Sequence, residues 1–187
     1  MTKKTIIGII GTVGSGKDTA AEYISKKINI PTFQISQPLK DIAKNKNIKA
    51  TRENLIEIGS NLVKEKGPAF LAELCLVKIS EDRGIITGIR MLDIIDYFKK
   101  HTNFILLSIF ADSDLRFRRS IERNKLGEAK TIEEFIKNEE KENSAPNAQR
   151  LFECLNLADY VIKNNSDIED FRKEIDLFLE KFNLYTN

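Results

Sequence analysis

Two hydrophobic patterns alternate along the chain, and the alternation predicts its architecture. Short, near-continuous apolar runs lie at 4–10, 84–87 and 104–110, with a brief one at 160–162; residues 31–36 alternate apolar with polar. Continuous runs of this kind predict strands of a parallel sheet buried on both faces. Between them, apolar residues recur at three- and four-residue spacing. That spacing predicts helices over about 17–28, 38–45, 51–66, 68–80, from just after Arg90 to 100, 112–124, 131–142, 148–157 and 167–183.

Local punctuation supports these bounds. Pro38 suits a first helical turn, Thr51 an N-cap, and Gly67-Pro68 a stop. Thr131 and Glu134 have capping-box spacing, Asp112 or Ser113 caps the helix before them, and the polar stretch 125–130 with Gly127 predicts a loop. The 68–80 segment is apolar around much of its circumference, which predicts burial in the core or at an interface. Strands alternating with helices give an α/β fold whose mostly parallel sheet is covered on both faces, here as a single domain over 1–187. Connection rules then bring three turns to one sheet edge: residues 11–16, 88–90 and 111–112.

The first of those turns carries the chemistry. Gly11, Thr12, Val13, Gly14, Ser15, Gly16, Lys17, Asp18 and Thr19 join an apolar strand to a helix with the GxxxxGK spacing of a phosphate-binding P-loop. Glycines let backbone N–H groups turn inward around an anion, the helix start adds unpaired N–H groups, and Lys17 supplies a mobile charge. The position after the lysine usually holds a hydroxyl. Here it is Asp18, with Thr19 following.

Arginines supply a second signal. Arg116, Arg119 and Arg123 share one helix face that leads into the 125–130 loop, while Arg118 points elsewhere. Such a row can neutralise a transferring phosphoryl group from a lid over about 120–147; it can equally be a solvated face paired with Asp112 and Glu122. Arg90 stands just past a strand end, and Arg52 and Lys40 lie in a helical segment over about 36–80; each is a candidate anion contact or a surface charge. His101 ends a helix among lysines and reads as solvated.

Composition narrows the partners. With 187 residues, 41% hydrophobic and 31% charged, and a net charge of +2 with signs interspersed, there is no electrostatic case for nucleic acid or an anionic membrane. Cys75 and Cys154 form no CxxC and read as reduced core thiols. Met1 to Lys4 run straight into the first strand without a leader pattern, and no apolar run approaches a membrane span, so a cytoplasmic protein is expected.

Several stretches together resemble one family: the P-loop itself, Gly88-Ile89-Arg90, the run from Ala111 to Arg123, Thr131 to Phe135, and Ala158 to Asn164. Their pattern is similar to the P-loop nucleoside monophosphate kinases, in particular dephospho-CoA-kinase-like and archaeal adenylate/cytidylate-kinase-like proteins. The Gly-Lys-Asp-Thr variant also resembles deoxynucleoside monophosphate kinases. The resemblance implies a three-layer P-loop fold with a five-stranded parallel core, ATP and Mg²⁺; a monomer or homodimer is expected. It implies Lys17 and the 12–19 backbone on the donor phosphates, Arg119 and Arg123 as lid arginines, and Arg90 and Arg52 at the acceptor phosphate. Lys40 lies in the same region as Arg52, and Asp18 and Thr19 are the candidates to hold the metal. Relatives often carry an acid at the end of the third strand, where Thr87-Gly88 stands here. Asp18 is the expected replacement for it, and Asp41 a weaker candidate for a base. Three functions stay open: phosphoryl transfer from ATP to a nucleoside monophosphate, transfer to dephospho-CoA, and nucleotide-dependent regulation with little turnover.

Overall fold

The computed structural model describes residues 3–67, 69–123, 129–144 and 150–185; the side chains of 52, 53, 142 and 144 also lie outside the description. Five strands form one sheet: β1 (Thr5–Ile10), β2 (Thr32–Gln34), β3 (Arg83–Thr87), β4 (Asn103–Phe110) and β5 (Tyr160–Lys163). Their order is β2-β3-β1-β4-β5, and every pairing is parallel.

Nine helices among the described residues connect them: α1 (Lys17–Ile28), α2 (Gln37–Asn45), α3 (Arg52–Lys66), α4 (Phe70–Lys78), α5 (Leu92–His101), α6 (Ser113–Glu122), α7 (Ile132–Ser144), α8 (Leu151–Leu155) and α9 (Ile168–Lys181). They split by face. Side chains of α2, α4, α5 and α8 pack with Ile6, Ile86 and Leu106 on one side of the sheet. Those of α1 and α9 pack with Ile7, Ile85 and Leu107 on the other. Alternate residues of each central strand thus serve opposite cores, which is why these strands read as unbroken apolar runs.

The expected strands and helices are present, with boundary shifts that have local causes. β2 is shorter than 31–36 because Ser36 already acts as the N-cap of α2. Asp167 caps α9 by accepting from the N–H groups of Glu169 and Asp170, and Thr51 accepts from Asn54. The capping box at α7 is rearranged: Glu134 donates its N–H to Thr131 Oγ1, but its carboxylate accepts from Lys130 rather than from Thr131. The 68–80 segment is only partly a core element. Leu71, Ala72 and Cys75 are buried, while Val77 is 79% exposed. The expected helix start at 148 and the break at 143–147 fall partly on residues outside the description.

Both cysteines are free and buried, and burial pushes their thiols up, Cys75 to about 12 and Cys154 to about 11. Such burial disfavours the thiolate, which suits core thiols. Among the described residues no helix is long and apolar enough to cross a membrane.

Candidate active site

The register fixes what meets at the carboxyl edge. Ile9 pairs with Thr87 and Ile10 with Ser108, so the loop after β1 lies between residues 88–90 on one side and 111–112 on the other. Phe110 pairs with Lys163, which brings Asn164 and Asn165 alongside. From β1 the chain leaves toward β2, whereas from β4 it leaves toward β5. The crevice between β1 and β4 is therefore a topological switch point, where ligands of parallel sheets bind.

The loop has the shape of an anion cradle. Gly14 and Gly16 take φ of 77° and 99°, the left-handed region in which a side chain is strained. There is also no room for one: a Cβ on Gly14 would sit 2.6 Å from the Arg116 carbonyl, and one on Gly16 would run into the Asn164 carboxamide. Gly16 is the N-cap of α1 and contributes no side-chain cap, leaving the first-turn N–H groups to a ligand. Ser15 is fully buried, and its hydroxyl has no hydrogen-bond partner among the described residues. Lys17 Nζ, on a side chain 20% exposed, lies 3.9 Å from a carboxylate oxygen of the exposed Asp18.

The arginine row divides. Arg116 is buried and is not a phosphate contact. Its Nε donates to Ala111 O at 3.1 Å, and one amino group donates to Val13 O at 3.1 Å. Both amino groups grip Glu139 of α7, at 2.6 and 2.9 Å, and the guanidinium lies over the Phe135 ring. Of the three arginines on the shared face, this one braces the loop against α7. Arg119 is half-buried and donates to the backbone oxygen and the Oδ1 of Asn164, at 3.1 and 3.4 Å. Burial, then repulsion from Arg123, pulls it below the ordinary arginine value, so two cations lie near one another with Arg119 partly stripped of water. Arg123 itself is the exposed C-cap of α6, and Arg118 is exposed as expected.

Acceptor-side candidates are less gathered. Arg90 is half-buried just beyond β3, beside the cradle by register. Lys40 Nζ donates to Gln34 Oε1 at 3.1 Å, and Arg52 opens α3 with a side chain outside the described residues. At the end of β3, Thr87 is buried and donates to Phe33 O, and Gly88 turns with φ 80°, so no carboxylate stands there. Asp41 is engaged by Lys78 and by Gln37, whose hydrogen bonds hold its carboxyl below the usual range. That weakens it as a base.

Sequence reasoning missed Glu139 and the two asparagines after β5. Asn164 is buried: Nδ2 donates to Ser15 O at 2.8 Å and its N–H to Phe110 O at 2.7 Å. Asn165 Oδ1 accepts from the Asp112 N–H at 3.0 Å. The available signal was position, since polar residues directly after a parallel strand fall on the ligand edge.

No family model matches the chain. A UPF0200 protein of Methanocaldococcus jannaschii is 29% identical over 181 residues, spanning 94% of this chain and 89% of that protein. Among solved structures, a shikimate kinase from Bacteroides thetaiotaomicron superposes with a TM-score of 0.59 at 17% identity, over 96% of this chain and 98% of that one. A gluconokinase from Sinorhizobium meliloti does so with 0.54 at 13% identity, over 99% and 98%. The fold is that of a P-loop kinase. Within it, the cradle of residues 11–19 occupies the switch point, and α6 crosses beside it.

Proposed function

We propose that the protein is a small-molecule kinase that moves the γ-phosphoryl group of ATP onto a phosphorylated, nucleotide-like acceptor. The observation that carries this reading is a glycine turn of P-loop spacing that carries Lys17 and is tied through Asn164 to Arg119, with Arg123 near it on α6. A protein that only binds nucleotide needs the turn and its lysine; charge spread over a transferring phosphoryl group calls for the arginines. The kinase fold of the structural neighbours supports the same class. An acceptor segment over about 36–80 and a lid over about 120–147 belong to this reading. Residues 68, 124–128 and 145–149 lie outside the described residues.

In this reading the 11–19 backbone and Lys17 hold the β- and γ-phosphates, and Arg90, Arg52 and Lys40 orient the acceptor. An acceptor oxygen attacks the γ-phosphorus as the bond to the bridging oxygen breaks, ADP leaves, and no enzyme-bound covalent intermediate forms. Mg²⁺ fits beside the cradle: Asp18 and Thr19 offer a carboxylate and a hydroxyl, a small oxygen set that suits an ion completing its shell with phosphate and water. When bound, it would neutralise charge on the β- and γ-phosphates. Asp18→Asn with wild-type Mg²⁺ dependence of ADP binding would remove Asp18 from that role.

The chemistry at β3 ranks the acceptors. A hydroxyl acceptor such as that of dephospho-CoA profits from a general base, and neither Thr87-Gly88 nor the engaged Asp41 supplies a good one. A monophosphate is already an anionic nucleophile and needs none. The test is ADP release from ATP–Mg²⁺ with a panel of nucleoside and deoxynucleoside monophosphates and dephospho-CoA. A monophosphate should stimulate release. Stimulation only by dephospho-CoA would reverse the ranking, and ADP binding without stimulation by any acceptor would leave a nucleotide-dependent regulator.

A further inference from the structure

We propose that Asn164 is a positioning residue that sets the direction of the Gly16 N–H in the phosphate cradle, and that it ties this donor to Arg119. The inference rests on the cradle binding phosphate, as in the function proposed above. A trans peptide is planar, with its C=O and N–H pointing in opposite directions. The Ser15 carbonyl is held from outside the loop by Asn164 Nδ2 at 2.8 Å. Fixing that oxygen outward turns the N–H of the same peptide, that of Gly16, inward to where the anion sits. No cis peptide interrupts this geometry.

The same device acts one turn earlier: Arg116 holds the Val13 carbonyl at 3.1 Å, which directs the Gly14 N–H. Asn164 differs in what else it holds. Its Oδ1 and backbone oxygen accept from Arg119, and its own N–H is anchored on Phe110 O. One buried residue therefore links the end of β4 through its backbone N–H, the cradle through its side chain, and α6 through both its backbone oxygen and its Oδ1. A carboxamide suits the position because it needs a donor toward Ser15 and an acceptor toward Arg119. Aspartate keeps the shape and the acceptor but presents oxygen to the Ser15 carbonyl.

Full-length protein is titrated with ADP and with inorganic tripolyphosphate, which has no base or sugar. Asn164→Asp and Asn164→Leu should each weaken both probes on the order of 30-fold, the scale expected when a clamped donor loses its orientation. In ¹⁵N–¹H spectra of the wild type, tripolyphosphate should move both the Gly16 amide and the Asn164 side-chain amide; in the variants the Gly16 shift should be largely lost. The Asn164→Asp deficit should shrink as pH falls, since a protonated carboxyl regains a donor, and the Asn164→Leu deficit should not. A merely structural role would lower the melting temperature but leave the Gly16 shift intact in the folded variants. Folded variants that bind both probes like the wild type, or a wild-type Gly16 amide indifferent to tripolyphosphate, overturn the proposal. If ADP binds as described but no acceptor is phosphorylated, the kinase reading fails and the clamp stands.

Discussion

The two halves of the candidate site are built differently. Around the cradle, the hydrogen bonds join distant parts of the chain: Asn164 to Ser15 across 149 positions, Arg116 to Val13 across 103, and Arg119 to Asn164 across 45. The side chains making them are buried or half-buried. On the proposed acceptor side several bonds are local, such as Gln37 to Asp41 across four positions and Asn54 to Lys49 across five, and they lie at the exposed surface, where Lys78 also reaches Asp41 across 37. Between α2 and α3 lies a cavity of about 170 Å³ walled by Ile42, Ile58 and Leu62, with Asn54, Asn61 and Glu57 at its polar side. A cradle fixed by long-range bonds keeps its geometry before any ligand arrives. A surface held by local bonds can adapt, so if this half takes the acceptor, it would choose it through side chains rather than through a fixed backbone.

If that contrast is right, the largest effect comes from the donor half. Lys17→Ala should cost on the order of 10³-fold in phosphoryl transfer while unfolding stability changes by less than about 1 kcal/mol, measured by steady-state kinetics and thermal melts. A folded variant that retained its rate would break the contrast at its centre. Next is the brace between the cradle and α7. The Arg116 and Glu139 side chains are only 9% and 14% exposed, so Glu139→Ala leaves a guanidinium buried with carbonyls alone and should destabilise by about 3 kcal/mol. Arg116→Met with Glu139→Leu should recover most of that stability but not the Val13 contact, so its ADP affinity should stay low.

Acceptor-side changes should be smaller and of another kind. Lys40→Ala and Arg52→Ala should each raise the acceptor KM about tenfold with kcat and the melting temperature nearly unchanged, because each removes one charge-assisted contact from an adaptable surface. A large loss of stability would show that this half is as rigid as the cradle. The smallest effect concerns Asp41. Its hydrogen bonds with Lys78 and Gln37 lower its carboxyl pKa, so the stabilisation they give is present above the ordinary carboxylate range and is lost as pH falls through the lowered value. Lys78→Ala should return the Asp41 titration, followed by NMR, to the ordinary range.

Much of this was readable without coordinates. The P-loop lay in one contiguous run between a strand and a helix, and hydrophobic period separated the five strands from the helices. The strand ends then followed from chain order, which placed residues 88–90 and 111–112 beside the loop. Helical spacing tells which arginines share a face but not what each one meets. Arg116 meets Val13 and Glu139, while Arg119 and Arg123 stay the candidate phosphate contacts.

By itself the sequence determined the fold class, the order of its elements and the location of the glycine turn with P-loop spacing, because each depends on residues near one another in the chain. Only the tertiary structure decided how that turn is held. Asn164 and Arg116 lie in stretches that resemble the family, but nothing in those stretches says what their side chains hold, and Glu139 lies in none. Their roles exist because parallel pairing of β4 with β5, and packing of α6 against α7, bring carbonyls and side chains from remote segments within hydrogen-bond reach. A hydrogen bond forms at about 3 Å in space, whatever separates its partners along the chain.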